Sequence, residues 1–468
     1  MQRYDLLIDG YLEGSTHYDE VIDPATEQVI GVAARATAEQ IDAAVNAARR
    51  AFPAWAADTE KRRSALSAAA DAIAAHADEI ATLITREQGR PLRFARGEVA
   101  GAAATLRHYA EFALDDVQTL RDDAQRSVRV ERRPLGVVAA ITPWNVPIVL
   151  LILKLAPALR AGNTIVAKPS EHTPLATLRI AQLLRDSFPA GVLNIIAGDG
   201  AVGAQLSRHP LVSKVTFTGS VATGTRIYEG AAQGIKRLTL ELGGNDAALV
   251  LDDADPRAIA EQLFWGAFWN SGQICFAIKR LYVHESRFDE LVQLLAERAR
   301  RTQVGNGLDE NTELGPLTNR GQFERVSALV DDAKQRGAII HSGGAALPGP
   351  GFFYPPTIVT GIDAGVALVD EEQFGPVLPV LPFSDVDAAI AAANASPFGL
   401  GGSVWGADVE RALAIARRLE VGLAWVNDHA DIHPGAPKGG YKSSGLGYEG
   451  GLRGYEQFSE LQVVNVAR

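Results

Sequence analysis

The chain has 468 residues, 47% hydrophobic and 22% charged, which is typical of a folded water-soluble protein with two or three structural units. Its formal net charge of −11 and its lack of basic runs exclude nucleic acid as an expected partner. The single cysteine, Cys275, excludes an internal disulfide and a cysteine-based metal cage. Because neither a signal peptide nor a membrane-length apolar run is found, the sequence predicts a cytoplasmic protein without membrane contact.

Helical patterns come first along the chain. Apolar residues recur every three or four positions over 38–57 and again over 60–88, and both stretches are rich in alanine. An alternating segment at 127–134 then predicts an exposed strand.

Short apolar strands alternate with helices in the rest of the chain. The first series is predicted at 136–142, 164–168, 192–197, 214–218 and 237–242. A second series begins at Ala247 and continues at 280–284, near 340 and at 422–427. This βαβ rhythm predicts an α/β protein with two open parallel sheets covered by helices. The lone strands 127–133 and 461–466 are expected to pair with each other, and another subunit is expected to cover their free edges.

One glycine-rich motif, G-D-G-A-V-G, matches the letters of a dinucleotide fingerprint through Gly198, Gly200 and Gly203. The fingerprint also needs a carboxylate about 20 residues later, at the end of the next strand. That strand ends in Thr218-Gly219-Ser220 and has no carboxylate. The motif is therefore better interpreted as a tight strand-to-helix turn, with the standard fingerprint as the alternative.

A different set of strand ends fits a dinucleotide better. Glu171 and Lys168 follow the second strand, where a carboxylate accepts hydrogen bonds from ribose hydroxyls. Gly219 allows close backbone approach, and Ser220 can cap a helix whose positive end faces phosphate. Each feature alone is also typical of an ordinary βα turn, but their succession along one sheet favours a cofactor site.

Cys275 has two candidate partners at strand ends. Taken alone, a lone cysteine is most often a small buried hydrophobe. However, Cys275 sits in a Gly- and Asn-containing turn, and Lys279 could point elsewhere. Glu241 ends an apolar strand, where desolvation raises a carboxyl pKa towards that of a general base. Asn145 and the backbone N–H of Cys275 could form an oxyanion hole, so the three residues fit attack on an aldehyde.

Seven motifs in order make the chain resemble the NAD(P)-dependent aldehyde dehydrogenase family from end to end. They are T-P-W-N at 142–145, K-P-S-E at 168–171, F-T-G-S-V-A-T-G at 217–224, L-E-L-G-G-N at 240–245, G-Q-I-C at 272–275, E-E-Q-F-G-P at 371–376 and P-K-G-G-Y-K-S-S-G at 437–445. The resemblance implies a thiohemiacetal and then a thioester on Cys275, with Glu241 as base and Asn145 at the oxyanion. It also implies a cofactor site formed by Ile141, Thr142, Pro143, Trp144, Lys168, Ser170, Glu171, Gly203, Phe217, Gly219, Ser220, Thr223, Gly224, Leu242, Glu372 and Phe374.

The resemblance further implies how the chain is divided. Residues 1–115 and 135–243 are expected to form a cofactor domain and 244–435 a catalytic domain. A small β arm for oligomerisation is expected at 116–134 and 455–468, while 436–454 return to the cofactor domain. Family members are usually dimers or tetramers, so a homodimer or homotetramer is expected.

Cofactor and substrate preferences follow from individual residues. Glu171 occupies the place of a 2′-phosphate, which favours NAD, although Lys168 leaves NADP open at lower affinity. The family resemblance places an apolar tunnel for a medium-sized or aromatic aldehyde along Val146, Leu150, Leu153, Trp269, Phe276, Ile278, Ile432 and Lys438.

Lys438 departs from the family, which usually has Phe at this position. It is expected to face solvent or to pair with Asp428 or Asp431; the alternative is contact with the carboxylate of a semialdehyde. A variant that passes the acyl group to coenzyme A is a second alternative, which Glu241 disfavours. A third is a binding protein that has lost the chemistry, which the intact catalytic residues disfavour. His429 and His433 are four residues apart but lack a metalloprotease motif, so no metal is expected.

Overall fold

The computed structural model describes residues 1–112 and 116–468, so the expected domain boundary at residue 115 lies outside the described residues. The helices of this part are α1 (Ala38–Ala57), α2 (Thr59–Ala75), α3 (Ala77–Gln88), α4 (Leu92–Glu111), α5 (Pro147–Arg160), α6 (Leu175–Leu184), α7 (Gly200–Arg208), α8 (Val221–Ala232), α9 (Pro256–Phe268), α10 (Glu285–Arg301), α11 (Arg320–Gln335), α12 (Ala367–Asp370), α13 (Val386–Asn394), α14 (Val409–Ala416) and α15 (Gly451–Glu456). None of these described helices combines the length and apolar character needed to cross a bilayer.

The strands alternate with these helices through most of the chain. They are β1 (Arg3–Tyr4), β2 (Leu6–Ile8), β3 (Tyr11–Glu13), β4 (His17–Ile22), β5 (Val29–Arg35), β6 (Val117–Asp122), β7 (Arg126–Pro134), β8 (Val137–Ile141), β9 (Thr164–Lys168), β10 (Leu193–Ile195), β11 (Val212–Thr218), β12 (Arg237–Glu241), β13 (Asp246–Val250), β14 (Ile278–His284), β15 (Ile339–Ser342), β16 (Thr357–Thr360), β17 (Val377–Phe383), β18 (Phe398–Gly399), β19 (Gly401–Trp405), β20 (Leu423–Val426), β21 (Tyr441–Lys442), β22 (Gly445–Leu446) and β23 (Ser459–Ala467).

The first large sheet has eight strands in the order β22-β12-β11-β8-β9-β10-β2-β3. Its five central strands are mutually parallel, and β8 and β9 are buried throughout, as expected for strands covered on both faces. The antiparallel edges are formed by β22 on one side and by β2 and β3 on the other. The predicted parallel sheet is confirmed, and all its parallel strands end at one edge.

The second large sheet has seven strands in the order β15-β16-β17-β14-β13-β19-β20. All neighbouring pairs except β15–β16 are parallel. Successive residues of β13 enter separate apolar cores, since Leu249 belongs to one and Val250 to the other. Because side chains alternate along a strand, these two cores lie on opposite faces of the sheet.

The two lone strands pair as predicted. β7 lies antiparallel to β23, with Val130 opposite Val463 and Ser127 opposite Val466, and β6 completes a three-stranded sheet. We call β6, β7 and β23 the arm.

The predicted helix over 60–88 is wrong in one respect: it is two helices, α2 and α3. His76, between them, has φ −117° and ψ 23°, which is outside the helical range. Its Nδ1 donates to the carbonyl of Ala72 at 3.0 Å, so a side chain satisfies the end of α2. By contrast, α1 begins as predicted, because Thr37 and Gln40 form a reciprocal capping box.

Candidate active site

The three predicted catalytic residues meet between the two large sheets. Glu241 is the last residue of β12, Asn145 follows β8 at the same edge, and Cys275 lies between α9 and β14. The chain reaches Cys275 through a turn in which Asn270 and Ser271 have φ of 53° and 56°. Gly272 follows with φ of 72°, and a Cβ there would lie 2.6 Å from the carbonyl carbon of Gly375. This tight left-handed turn sets the position of the thiol.

Glu241 is a buried carboxyl group without a full set of partners. The residue is 7% exposed, and its Oε2 has no hydrogen-bond partner among the described residues. Burial raises the pKa of Glu241 to about 7, and the nearby carboxylate of Glu449 adds to the rise. The prediction of a desolvated carboxyl poised as a general base agrees with this environment.

Cys275 is half-buried and interacts directly with Glu241. Burial raises the pKa of the thiol well above its ordinary value, and the negative charge and hydrogen bonding of Glu241 raise it further. Lys279 and Lys438 act in the opposite direction. The pair is therefore a neutral thiol, which carries the proton, beside a carboxylate that can accept it.

Asn145 is fixed against the loop that carries the thiol. Its Nδ2 donates to the carbonyl of Gln273 at 2.9 Å, two residues before Cys275. Its own carbonyl accepts from Asn270 at 3.1 Å and from Arg90 at 2.5 Å. Since an amide has two N–H donors, one remains for an oxygen bound beside Cys275.

Lys279 does not point elsewhere, as the sequence had allowed, but turns back to the thiol loop. Its Nζ donates to the carbonyl of Ile274 at 2.8 Å and to that of Cys275 at 2.6 Å. The next carbonyl, of Phe276, accepts from Nε2 of His429 at 2.7 Å. The loop is thus held by side chains at each of these carbonyls.

The residues predicted to bind the cofactor begin at the same edge of the first sheet. Lys168 ends β9, and its Nζ is 3.7 Å from Oε2 of the exposed Glu171. Ser220 caps α8 by accepting from the N–H of Thr223 at 3.3 Å. Gly224 packs tightly in the first turn of α8, where a Cβ would lie 2.6 Å from Leu242. The helix end therefore approaches β12 closely.

The remaining residues predicted for the cofactor occupy this edge or the turns that follow it. Ile141 and Phe217 are buried near the ends of β8 and β11, and Thr142 and Ser170 are buried just past β8 and β9. Pro143 is half-buried, and Gly219 directly follows β11. Gly203 lies in α7 beside Lys168. The motif around Gly198 and Gly200 is a strand-to-helix turn in which Asp199 caps α7.

Further residues predicted for the cofactor come from the second half of the chain. Oε1 of Glu372 accepts from the N–H of Gly244 at 3.0 Å and lies 3.5 Å from Nζ of Lys279. The rings of Trp144 and Phe374 meet edge to face, 5.3 Å apart at 88°. Among these residues, which are predicted on the nicotinamide side, Glu372 is connected to the thiol loop through the side chain of Lys279.

A cavity of about 620 Å³ lies against α9 and reaches Ile274 and Phe276, the chain neighbours of Cys275, although Cys275 itself is not among its lining residues. Of the predicted pocket residues, Trp269 and Phe276 line it, together with Ile274 on the other side of the thiol. Residues missed from the sequence complete the wall: Arg93, Phe94, Glu261, Gln262, Trp265, Gly266, Ala277, Asp428, His429 and Ala430. Trp265 had a signal, since it lies four residues before Trp269 on one helical face.

Five other predicted pocket residues do not line this cavity: Val146, Leu150, Leu153, Ile432 and Lys438. Leu150 is 8% exposed within α5, but it does not belong to the core of the first sheet that its neighbours Ile148 and Leu151 enter. Ile278 also points into a core, that of the second sheet, rather than into the cavity.

The expectation that Lys438 faces solvent or pairs with Asp428 or Asp431 is wrong. The residue is half-buried, and its positive charge lowers the pKa values of Cys275, Glu241 and Glu449. The reason is local: Lys438 and Glu449 exchange two backbone hydrogen bonds, of 2.7 and 2.8 Å, which draw the segment towards the site.

His429 is a buried structural residue. Its Nδ1 accepts from the hydroxyl of Ser403 at 3.0 Å while Nε2 donates to Phe276, so both ring nitrogens are used. Burial lowers the pKa of His429 to about 4, which keeps the ring neutral. His433, by contrast, is exposed.

Comparison with known proteins agrees with this site. A model of the aldehyde dehydrogenase family matches residues 11–464. A phenylacetaldehyde dehydrogenase of Pseudomonas fluorescens is 38% identical over 96% of this chain and 92% of its own length. A putative aldehyde dehydrogenase, FUS7, of Gibberella fujikuroi is 38% identical over 97% of both chains.

Solved structures show the same fold. A putative aldehyde dehydrogenase of Burkholderia cenocepacia is 40% identical, with a TM-score of 0.96 over 100% of this chain and 98% of its own. Betaine aldehyde dehydrogenase of Staphylococcus aureus in complex with NAD+ is 34% identical, with a TM-score of 0.96 over 99% of this chain and 94% of its own. The chain therefore belongs to the aldehyde dehydrogenase family and is an NAD(P)-dependent enzyme that oxidises aldehydes.

Proposed function

We propose that the enzyme uses NAD to oxidise a medium-sized apolar or aromatic aldehyde to the carboxylic acid. In this proposal residues 1–115 and 135–243, with 436–454, form the cofactor domain and 244–435 the catalytic domain. The observation that carries the proposal is the position of the buried Glu241 beside Cys275, where burial raises the pKa of Glu241 to about 7 and the charge of Glu241 raises the pKa of the thiol.

The chain's own residues perform most of the chemistry. Glu241 takes the proton of Cys275, whose sulfur then adds to the aldehyde carbon and gives a thiohemiacetal. Asn145 and the backbone N–H of Cys275 stabilise the negative oxygen of that adduct. The chemistry that a bound nicotinamide supplies is acceptance of the hydride lost from the adduct, which leaves a thioester. Glu241 releases the thiol proton to solvent and then takes a proton from the water that attacks the thioester, which frees the acid and returns Cys275 as the leaving thiolate.

The residues at the strand ends fit NAD. A carboxylate at Glu171 matches a ribose diol and repels a 2′-phosphate, whereas Lys168 beside it leaves weaker NADP binding open. The Ser220-capped end of α8 presents backbone N–H groups to phosphate. On the other side, the fixed carboxylate of Glu372 matches the nicotinamide ribose.

The cavity beside the thiol supports an apolar or aromatic substrate. Phe94, Trp265 and Trp269 pack edge to face at 6.0 and 6.4 Å around its wall. Such walls bind an aryl group through burial and edge contacts. The relative named phenylacetaldehyde dehydrogenase is consistent with this class of substrate.

A second candidate is a semialdehyde, because the half-buried Lys438 directs its charge at the catalytic residues. The substitution Lys438→Phe, which introduces the residue that the family usually has here, tests this candidate. We expect kcat/KM for a carboxylated aldehyde to fall relative to an uncharged one only if Lys438 binds substrate. An unchanged preference rejects that role.

Coenzyme A as acyl acceptor is disfavoured by Glu241, a base suited to water. The deciding experiment monitors NADH formation at 340 nm with aliphatic, aromatic and carboxylated aldehydes, each with and without coenzyme A. We expect the free acid as product and the highest kcat/KM with aromatic aldehydes. An acyl-coenzyme A product, or no NADH with any aldehyde, contradicts the proposal.

Oligomerisation and location are further parts of the proposal. The arm exposes apolar residues that suit a homodimer or homotetramer, and a cytoplasmic location stays a prediction from the sequence.

A further inference from the structure

Lys279 is a buried lysine that the mechanism above does not use. Its residue is 1% exposed, and its ammonium group has three partners. Two are the carbonyls of Ile274 and Cys275, and the third is Oε1 of Glu372 at 3.5 Å. Since an ammonium group has three N–H donors, these partners match its capacity.

The partners of Lys279 belong to different functional elements. Cys275 carries the nucleophilic sulfur, while Glu372 lies on the cofactor side and also accepts from the N–H of Gly244 at 3.0 Å. Gly244 leaves room for this arrangement, since a Cβ there would lie 2.5 Å from the Cys275 carbonyl. One side chain therefore spans the thiol loop and the cofactor carboxylate.

We propose that Lys279 is a positioning residue that fixes the Cys275 backbone and the Glu372 carboxylate relative to one another. The inference rests on the proposed function of Cys275 as nucleophile. By holding the carbonyl of Ile274, which belongs to the same peptide unit as the N–H of Cys275, Lys279 orients the N–H that faces the oxyanion. By holding Glu372, it presents that carboxylate to the nicotinamide ribose.

The charge of Lys279 also acts on the thiol. The charged groups that influence Cys275 are Glu241 from β12, Lys279 from β14 and Lys438 from the segment after β20. Lys279 lowers the pKa of Cys275 and of the carboxyls of Glu372 and Asp246. Loss of its charge is therefore expected to make the thiol harder to ionise.

The test compares Lys279→Met with Lys236→Met. Lys236 is a matched control, because its Nζ also donates to two backbone carbonyls, those of His209 and Val212, each at 2.6 Å. It directly precedes β12, at the end of that strand opposite to Glu241. The readouts are the pH dependence of alkylation by iodoacetamide without cofactor and the Kd for NAD from tryptophan fluorescence.

Alkylation reports on one site, since Cys275 is the only cysteine. For Lys279→Met we expect the alkylation profile to move up by roughly one pH unit, because a neighbouring cation is lost. We expect the Kd for NAD to rise about tenfold, because the ion pair that holds Glu372 in place is lost. Lys279→Arg should restore part of the alkylation shift, and Lys236→Met should match the wild type in both readouts.

Wild-type alkylation and NAD affinity in a folded Lys279→Met would overturn the proposal. If that variant does not fold, Lys279→Gln is measured instead with the same expectation, and a role limited to folding follows if it also fails. The failure of the proposed function is separate: full turnover by Cys275→Ala sinks that function whatever Lys279 does.

Discussion

At the scale of single residues, Glu241 and Cys275 define each other's protonation. Glu241 is buried with an unpartnered Oε2, and Cys275 is the half-buried thiol beside it. The negative charge of Glu241 raises the pKa of Cys275, whereas the hydrogen bond from the thiol lowers the pKa of Glu241. Glu241 can therefore activate the thiol only while its own carboxyl group is ionised.

The pKa of Glu241 predicts a pH dependence of hydrolysis. The base must be ionised to accept a proton, and its pKa is about 7. We therefore expect kcat to fall about tenfold per pH unit below that value when hydrolysis limits turnover. The measurement is kcat against pH in wild type and Glu241→Gln, and a wild-type profile that stays flat from acidic to neutral pH would contradict the assignment.

The proposed catalytic residues could be selected from the sequence, but the contacts of Lys279 could not. The only cysteine is a candidate nucleophile by its chemistry, and a carboxylate that ends an apolar strand is a candidate base. The reach of Lys279 back to its own loop depends on the left-handed turn at Asn270 and Ser271, which periodicity does not reveal. The distant pairing of Lys438 with Glu449 is equally invisible in local sequence.

At the scale of elements, a buried ion pair fixes the start of helix α5 and the neighbouring Asn145. Oε1 of Glu98 accepts from the N–H groups of Ile148 and Val149 at 2.7 and 3.2 Å, in the first turn of α5. Its Oε2 pairs with Arg90 at 2.6 Å, and Arg90 also binds the carbonyl of Asn145. The pair thus connects α4, the start of α5 and the predicted oxyanion donor.

Removal of Arg90 should destabilise the protein strongly. Arg90→Met leaves the Glu98 carboxylate buried without its cation, which costs about 3–5 kcal/mol. The exposed pair of Arg96 with Asp78 provides the control, and Arg96→Met should change little because solvent screens that pair. Urea unfolding curves of both variants test this, and similar midpoints would show that the buried pair is not needed for stability.

Element boundaries were less predictable than element types. The parallel strands around β8 and β9 were clear from their continuous apolar runs. The break at His76 was not, because the apolar spacing continues across it and only the backbone angles change.

At the scale of the whole molecule, the arm has an exposed apolar face. Leu461 and Val463, alternate residues of β23, are 62% and 58% exposed, and Leu120 of β6 is 59% exposed. Alternate residues of a strand share one face, so the first two form a continuous apolar surface. A free sheet of this kind is usually covered by another chain, and a second copy fits the predicted oligomer.

Charge on that face should separate the subunits. We expect Leu461→Asp with Val463→Asp to shift the protein to a monomer in sedimentation analysis, because buried carboxylates would oppose association. Glu460→Gln, at an exposed site on the same strand, is the control. An unchanged oligomer in the double variant would place the contact between subunits elsewhere.

The most direct test of the central claim is mass spectrometry of Glu241→Gln after mixing with an aromatic aldehyde and NAD. Glu241 is proposed as the base for hydrolysis, so its loss should let the acyl group accumulate on Cys275, with NADH formed in at most one turnover per site. Cys275→Ala under the same conditions should form neither adduct nor NADH. Steady wild-type turnover by either variant, or an acyl group on any residue other than Cys275, would contradict the account.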